Sequence, residues 1–195
     1  LDLGKTSITD AELGHLKGLS NLESLWLTNT KITDAGLEHL KGLSNLEGLS
    51  LRRTNVTGTG FSHLKGLANL QSLRADNTKF TDMGLAHLAG LTKLKTLSLQ
   101  GTPITDVGLA HLKGLTHLQE LILYETEVTD AGLVHLKGMT KLQELFLMST
   151  KITDSGLVHL KGLTSLVRLQ LGTQNTKVTD AGVADLQKSL PNCKI

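Results

Sequence analysis

The sequence predicts an α/β solenoid with a parallel β-sheet on its concave face and short helices on its convex face. Three observations carry this. The chain repeats itself every 24 residues along its 195-residue length. In each copy apolar residues first alternate and then recur at helical spacing. Helix-start and helix-stop signals stand at fixed places. A period in this range marks stacked units that contact only their neighbours.

The copy from Leu97 reads LSLQGTPITDVGLAHLKGLTHLQE, and those from Leu121 and Leu145 follow it closely. Copies also begin at Leu1, Leu25, Leu49, Leu73 and Leu169, so residues 1–195 form a single domain of eight units. Positions 1 and 3 of the unit are apolar, as in Leu121 and Leu123. Period-two alternation reads as a strand with one buried face. Eight such strands, stacked about 4.8 Å apart, are expected to make one parallel sheet. Position 6 is Thr from Thr6 and Thr30 to Thr150, and Thr176 is its counterpart in the last copy.

Positions 9 and 10 are mostly Thr-Asp, which suits a helix N-terminus: the Thr caps free N–H groups and the Asp favours the dipole. Thr9 and Glu12 have capping-box spacing. Leucines at positions 13, 16, 19 and 22, such as Leu109, Leu112, Leu115 and Leu118, follow the cap. Gly at position 18 (Gly18 through Gly162) is expected to end each helix in a left-handed conformation. Gly at position 12 (Gly36 through Gly182) disfavours helix. Its recurrence implies that neighbouring turns approach too closely for a Cβ.

Bulk properties narrow the function. Net charge is +2 and charged residues make up 19%, which gives no general pull toward nucleic acid or anionic membrane. No apolar run reaches the roughly 18 residues of a membrane span, and no signal segment is visible. The single cysteine, Cys193, excludes an intramolecular disulfide and falls in a core slot. Residues 183–195 change character and read as a polar C-terminal cap with a final edge strand. The first unit has no such cover, so self-association through that end, or a longer parent array, is expected.

The segment Leu118-Gln119-Glu120-Leu121-Ile122-Leu123-Tyr124-Glu125-Thr126-Glu127-Val128 resembles the leucine-rich repeat family pattern L-x-x-L-x-L-x-x-(N/C)-x-L, with Thr in place of Asn or Cys. The ITDxGLxxL tail resembles the cysteine-containing subclass known from F-box proteins and many bacterial proteins. No F-box accompanies it, so no ubiquitin-ligase role is implied. The resemblance implies a right-handed horseshoe or arc that binds proteins on its concave strand face. It also implies that the position-6 residue bonds to backbone between units.

Positions released from this template are where a partner would be chosen. Positions 2, 4 and 5 point onto the concave face. They carry Trp26, Arg52, Arg53, Arg74, Ile122, Tyr124, Phe146 and Met148, the expected partner-binding residues. Ile122, Tyr124, Phe146 and Met148 should form one apolar patch rimmed by Glu120, Glu125 and Glu144, as at the centre of a protein interface. Arg52, Arg53 and Arg74 give an electropositive flank. The competing reading is neutral drift. Phe61 and Phe80 sit in core slots.

Other columns read as structural. His recurs at position 15, from His15 to His159. Neighbouring helices stack about 8–10 Å apart, too far for easy sharing of a zinc ion. A packing ladder in which each imidazole bonds backbone or Asp is expected instead. Lysines at position 17 (Lys17, Lys41, Lys65, Lys113, Lys137 and Lys161) face an acidic column running from Asp10 to Asp180. Paired columns read as weak surface ion pairs. No phosphate loop, zinc-protease motif or calcium loop is present, and no metal or cofactor is expected. The sequon Asn55-Val56-Thr57 matters only in a secreted chain. The expected function is a non-enzymatic protein-interaction module that binds a partner protein through its concave face. The alternatives are a structural or engineered scaffold without a specific ligand, and polyanion binding by the convex lysines.

Overall fold

A computed structural model describes residues 1–172 and 177–195. Thr173, assigned to position 5 of the last unit, and Thr176, matched to the position-6 Thr column across two extra residues, lie outside the described residues. The strands are three residues long: β1 (Ser24–Trp26), β2 (Gly48–Ser50), β3 (Ser72–Arg74), β4 (Thr96–Ser98), β5 (Glu120–Ile122), β6 (Glu144–Phe146) and β7 (Arg168–Gln170). They pair in sequence order, all parallel, each residue facing the one 24 positions on, as Leu25 faces Leu49 and Leu145 faces Leu169. The ladder continues beyond each strand. Leu27 N–H donates to the Ser50 carbonyl at 2.8 Å and Asn29 N–H to that of Arg52 at 2.7 Å.

Seven strands form among the described residues, not the eight expected from the unit count. The first unit contributes only a bridge from Asp2 to Trp26, and the chain's end contributes another, Lys194 to Arg168. Backbone bonds of the first unit nevertheless continue past that bridge, with Leu3 N–H donating to the Trp26 carbonyl at 2.9 Å and Lys5 N–H to that of Thr28 at 2.8 Å.

The leucines of positions 1 and 3 turn inward. Leu25, Leu27, Leu97, Leu99, Leu121 and Leu123 are fully buried, as are the Ile, Val or Phe at position 8 (Ile32, Val56, Phe80, Ile104). They join Leu37, Leu40, Leu43 and Leu46 and their equivalents in one continuous core from Leu13 to Cys193.

Helices start where the Thr-Asp signal stands. They are α1 (Asp10–Leu13), α2 (Asp34–Leu37), α3 (Asp82–Ala86), α4 (Asp106–His111), α5 (Asp130–Leu133), α6 (Asp154–Leu157) and α7 (Asp180–Ser189). Thr33, Thr105, Thr129 and Thr153 each accept an N–H from two residues on, as N-caps do. Glu12 receives both the N–H and the hydroxyl of Thr9 at 2.7 Å, the capping-box contact expected.

The helices are shorter than the leucine spacing implied. Most pass after one α-turn into a 3-10 turn, such as Glu38–Leu40 or Val134–Leu136. The expected left-handed glycine is found only at Gly18, with φ +93°. Elsewhere the tightened turn keeps the chain right-handed through Lys41, Lys137 and Lys161, so the following glycine has no reversal to make.

The units are clasped by their aspartates. Asp106 accepts the N–H of Thr129 at 2.8 Å and its hydroxyl at 2.6 Å, one unit on. The same pair of bonds joins Asp10 to Thr33, Asp34 to Thr57, Asp82 to Thr105, Asp130 to Thr153 and Asp154 to Thr179. This clasp explains the position-12 glycine. A Cβ at Gly132 would lie 2.4 Å from the Asp106 Oδ1, and at Gly108 2.3 Å from that of Asp82. The close approach read from the sequence is real, and its cause is the carboxylate of the preceding unit.

One unit departs from this pattern. Gly58 stands where the others have Asp, with φ +91°, and the segment Thr59–His63 is 3-10 throughout. Thr81 therefore has no carboxylate and its N–H donates to the Thr57 carbonyl at 3.0 Å. The vacated space holds the Phe80 ring, whose Cζ lies 2.7 Å from where a Gly58 Cβ would be. Phe80 meets Phe61 edge to face, centroids 5.7 Å apart. Aromatic packing thus replaces the clasp between these two units.

The Thr column also differs from expectation. Its hydroxyls donate to the carbonyl three residues back, within the same unit, as Thr30 does to Leu27 at 2.7 Å and Thr102 to Leu99 at 2.5 Å. A Thr side chain is short, and the nearest free acceptor is its own turn's carbonyl. At the C-terminus α7 is the longest helix. Gln187 donates to the carbonyls of Leu190 and Cys193, and Lys194 N–H donates to Val167. Cys193 is buried, and burial pushes its thiol pKa up. No described helix is long and apolar enough to cross a membrane.

Candidate functional site

Because leucines at positions 1 and 3 face the core, positions 2 and 4 lie on the opposite, concave face of the sheet. Position 2 forms a row in which directly paired residues run Trp26, Ser50, Arg74, Ser98, Ile122, Phe146, Gln170. Ile122 and Phe146 are direct cross-strand partners, both half-buried. Tyr124 and Met148, at position 4 of the same two units, are half-buried as well. Of the rim acids, Glu144 is paired with Arg168 at 3.0 Å, whereas Glu125 is exposed.

The N-terminal part of the face has a different character. Trp26 is 36% exposed, while Ser50, between Trp26 and Arg74, is 2% exposed. The small residue lets its large neighbours stand as walls. Together with Asp2, Thr28 and Arg52 they line a depression of about 450 Å³.

Arg52 is held by Asp76, with Nε 2.9 Å from Oδ2. Asp76 is 3% exposed and also takes the Ser98 hydroxyl and, at 3.3 Å, the Gln100 N–H. Sequence reasoning placed Asp76 among the freely varying positions and missed this role. The available signal was an acid on the strand next to Arg52 at the same unit position.

Position 5 is less free than the sequence suggested. Lys5, Asn29, Arg53, Asn77, Glu125 and Ser149 all take φ of 54–58°, and Gly101 takes 64°. This left-handed residue turns the chain out of the strand, so Arg53 is aimed by the turn and not by the pleat.

The other columns resolve differently from their sequence reading. The aspartates that were to balance the lysines are bound to threonines of the next unit. Asp154 is held below the ordinary carboxylate range by the Thr179 hydroxyl and N–H. Lys161 pairs instead with Asp185 at 2.8 Å, and that cation lowers the Asp185 pKa. The imidazoles make no hydrogen bond to backbone or Asp among the described residues. His15 and His63 are exposed and the rest half-buried, with Nδ1 of His39 and His159 enclosed but unpaired. The bonded ladder does not form, and the aspartates bind threonines of the next unit instead. Among the described residues no cluster of potential metal ligands occurs.

A sequential, all-parallel sheet backed by one short helical turn per unit defines a repeat solenoid. A leucine rich repeat family model matches residues 92–152 and a second matches residues 18–41. Internalin C2 of Listeria monocytogenes is 30% identical, with a TM-score of 0.78 over 100% of this chain and 78% of that one. The chain belongs to the leucine-rich repeat family. Another internalin of the same organism is 25% identical with a TM-score of 0.83, and this chain spans 52% of its length. A leucine-rich repeat protein of Leptospira interrogans, 21% identical with a TM-score of 0.65 over 59% of its length, shares the fold. No curated protein matches.

Proposed function

We propose that this chain is a non-enzymatic protein-interaction module that binds a partner protein through its concave face. The patch centres on Tyr124 and Phe146, with Ile122 and Met148 beside them. Arg52, Arg53, Arg74 and Trp26 form a second contact region toward the N-terminus. The observation that carries this is the pairing of Ile122 with Phe146 on the solvent side of the sheet. Other units place Ser50, Ser98 or Gln170 in that row, so the fold does not require large apolar groups there. Contiguous apolar side chains with an acidic rim match the core and rim of protein interfaces. The family and the internalin-like neighbours support the same class of function.

The test is capture of partners from an extract of the producing cells, with the wild-type chain and with Tyr124→Ala combined with Phe146→Ala. The double variant is expected to keep its circular dichroism spectrum and lose a specific captured protein by at least about tenfold, as hot-spot anchors do. Equal capture by a folded double variant would overturn the reading.

A further inference from the structure

The concave face carries a second, chemically distinct feature, the depression walled by Trp26 and Arg74. Its floor is polar. The Thr28 and Ser50 hydroxyls lie 3.0 Å apart, so one donates to the other and one proton is left for a ligand. Its cations are unequal. Arg52 is fixed through Nε by the buried Asp76, at 2.9 Å, which leaves its two terminal nitrogens without a partner among the described residues. A guanidinium held from behind by a carboxylate has its fork preset, the arrangement that suits bidentate anion binding. Arg74, on the next strand, has no acidic partner among the described residues. The lining acid, Asp2, uses one oxygen to accept the Gly4 N–H at 2.8 Å. The Trp26 indole makes no hydrogen bond among the described residues and stands at the side of the same depression.

We infer that this depression takes a carboxylate carried by a partner polypeptide, with an apolar neighbour of that carboxylate lying against Trp26. The Arg52 and Arg74 guanidinium groups hold the acid, and the free hydroxyl proton of the Thr28–Ser50 pair gives a further donor. A volume of about 450 Å³ holds side chains, not a folded domain. A long polyanion is disfavoured by the rest of the face. The arginines give way within a few strands to Glu120 and Glu125, which would repel a continuing phosphate backbone. A polypeptide that places an acid at one end and apolar groups at the other fits both halves.

This inference rests on the concave face being the interaction surface, and its test is separable from that one. The chain has a single tryptophan, so its emission reports on this depression alone. The full chain is titrated with acetyl-Leu-Glu-Leu-amide, with acetyl-Leu-Gln-Leu-amide and with inorganic phosphate at constant ionic strength. The Glu peptide is expected to give a saturable change in Trp26 emission. The Gln peptide should bind at least tenfold more weakly, and Arg74→Gln should weaken the Glu peptide by at least tenfold while leaving circular dichroism unchanged. Tyr124→Ala with Phe146→Ala should leave this titration unaltered. Equal binding of both peptides, no response to the Glu peptide, or indifference to Arg74→Gln would overturn the inference. Phosphate binding as tightly as the Glu peptide would overturn the polypeptide source in favour of a free anion. A flat peptide titration alongside partner loss in the Tyr124/Phe146 double variant would remove this inference and leave the broader function standing.

Discussion

Asp106 holds Thr129 by two bonds, 2.8 Å from its backbone nitrogen and 2.6 Å from its hydroxyl, across the boundary between successive units. The same carboxylate occupies the space that a side chain at position 132 would need. The Asp and Gly columns are therefore one device, repeated along the array.

Removing the carboxylate should cost stability. Hydrogen bonds to a charged group are worth about 1.5–3 kcal/mol, so Asp106→Ala is expected to lower unfolding free energy by about 2–3 kcal/mol in urea titrations. Gly132→Ala alone should cost about 1–3 kcal/mol, because its Cβ strikes the carboxylate. The double variant should fall well short of the sum, since the methyl then has room. Strict additivity would show that the two columns act separately.

At position 58 a return to the repeat's own pattern should harm the protein. Gly58→Asp would force a Cβ to within 2.7 Å of the Phe80 ring at a backbone φ of +91°. A loss of about 1–3 kcal/mol is expected, as for other overpacked sites. Adding Phe80→Ile should recover part of it by vacating the space. A thermal melt of the single variant at or above the parent's midpoint would contradict this account.

The Asp154–Thr179 clasp also sets a pH dependence. The Asp154 pKa in the folded chain lies below its ordinary value of 3.8, because the Thr179 hydroxyl and N–H favour the ionised form. Its contribution is then fully present above about pH 4 and fades as pH falls below 3.8 through the folded value. Asp154→Asn should flatten that part of the stability curve. The check is urea midpoints at pH 5 and pH 3 for both chains, where equal losses would refute it.

Left-handed residues offer a gain. Ser149 takes φ 55°, where Gly101 stands in an equivalent place. Left-handed backbone costs a residue with a Cβ about 1–2 kcal/mol, so Ser149→Gly is expected to stabilise by about 1 kcal/mol in the same titrations.

What the sequence made legible were the features set by spacing within one unit. Leu121 and Leu123 two apart, Leu109 and Leu112 three apart, and Thr105 before Asp106 fixed the strand, the helix and its start without knowledge of neighbours. Contacts between units were harder to read. That Asp106 reaches Thr129 depends on the register between turns, and an acid at a helix start reads equally well as a dipole partner. The Thr column was assigned across units because the resemblance implied it, yet its hydroxyl finds an acceptor three residues back. On the concave face the odd residues Trp26, Arg74, Ile122 and Phe146 were visible as departures from the template. Asp76 was not, because its meaning comes from Arg52 on the adjacent strand and from burial by its neighbours.

The strict pairing of each strand residue with the one a full unit later has a consequence for how such an array changes length. A whole unit can be spliced in or dropped between two clasped joints, such as those of Asp106 and Asp130, and each remaining joint there keeps the same geometry on both sides. A loss or gain of one residue within a strand enjoys no such tolerance, since it turns the inward leucines onto the solvent side. A smaller insertion fits only outside the strand: the Asp154–Thr179 clasp spans 25 positions where Asp130–Thr153 spans 23, and the two extra residues fall between β7 and α7.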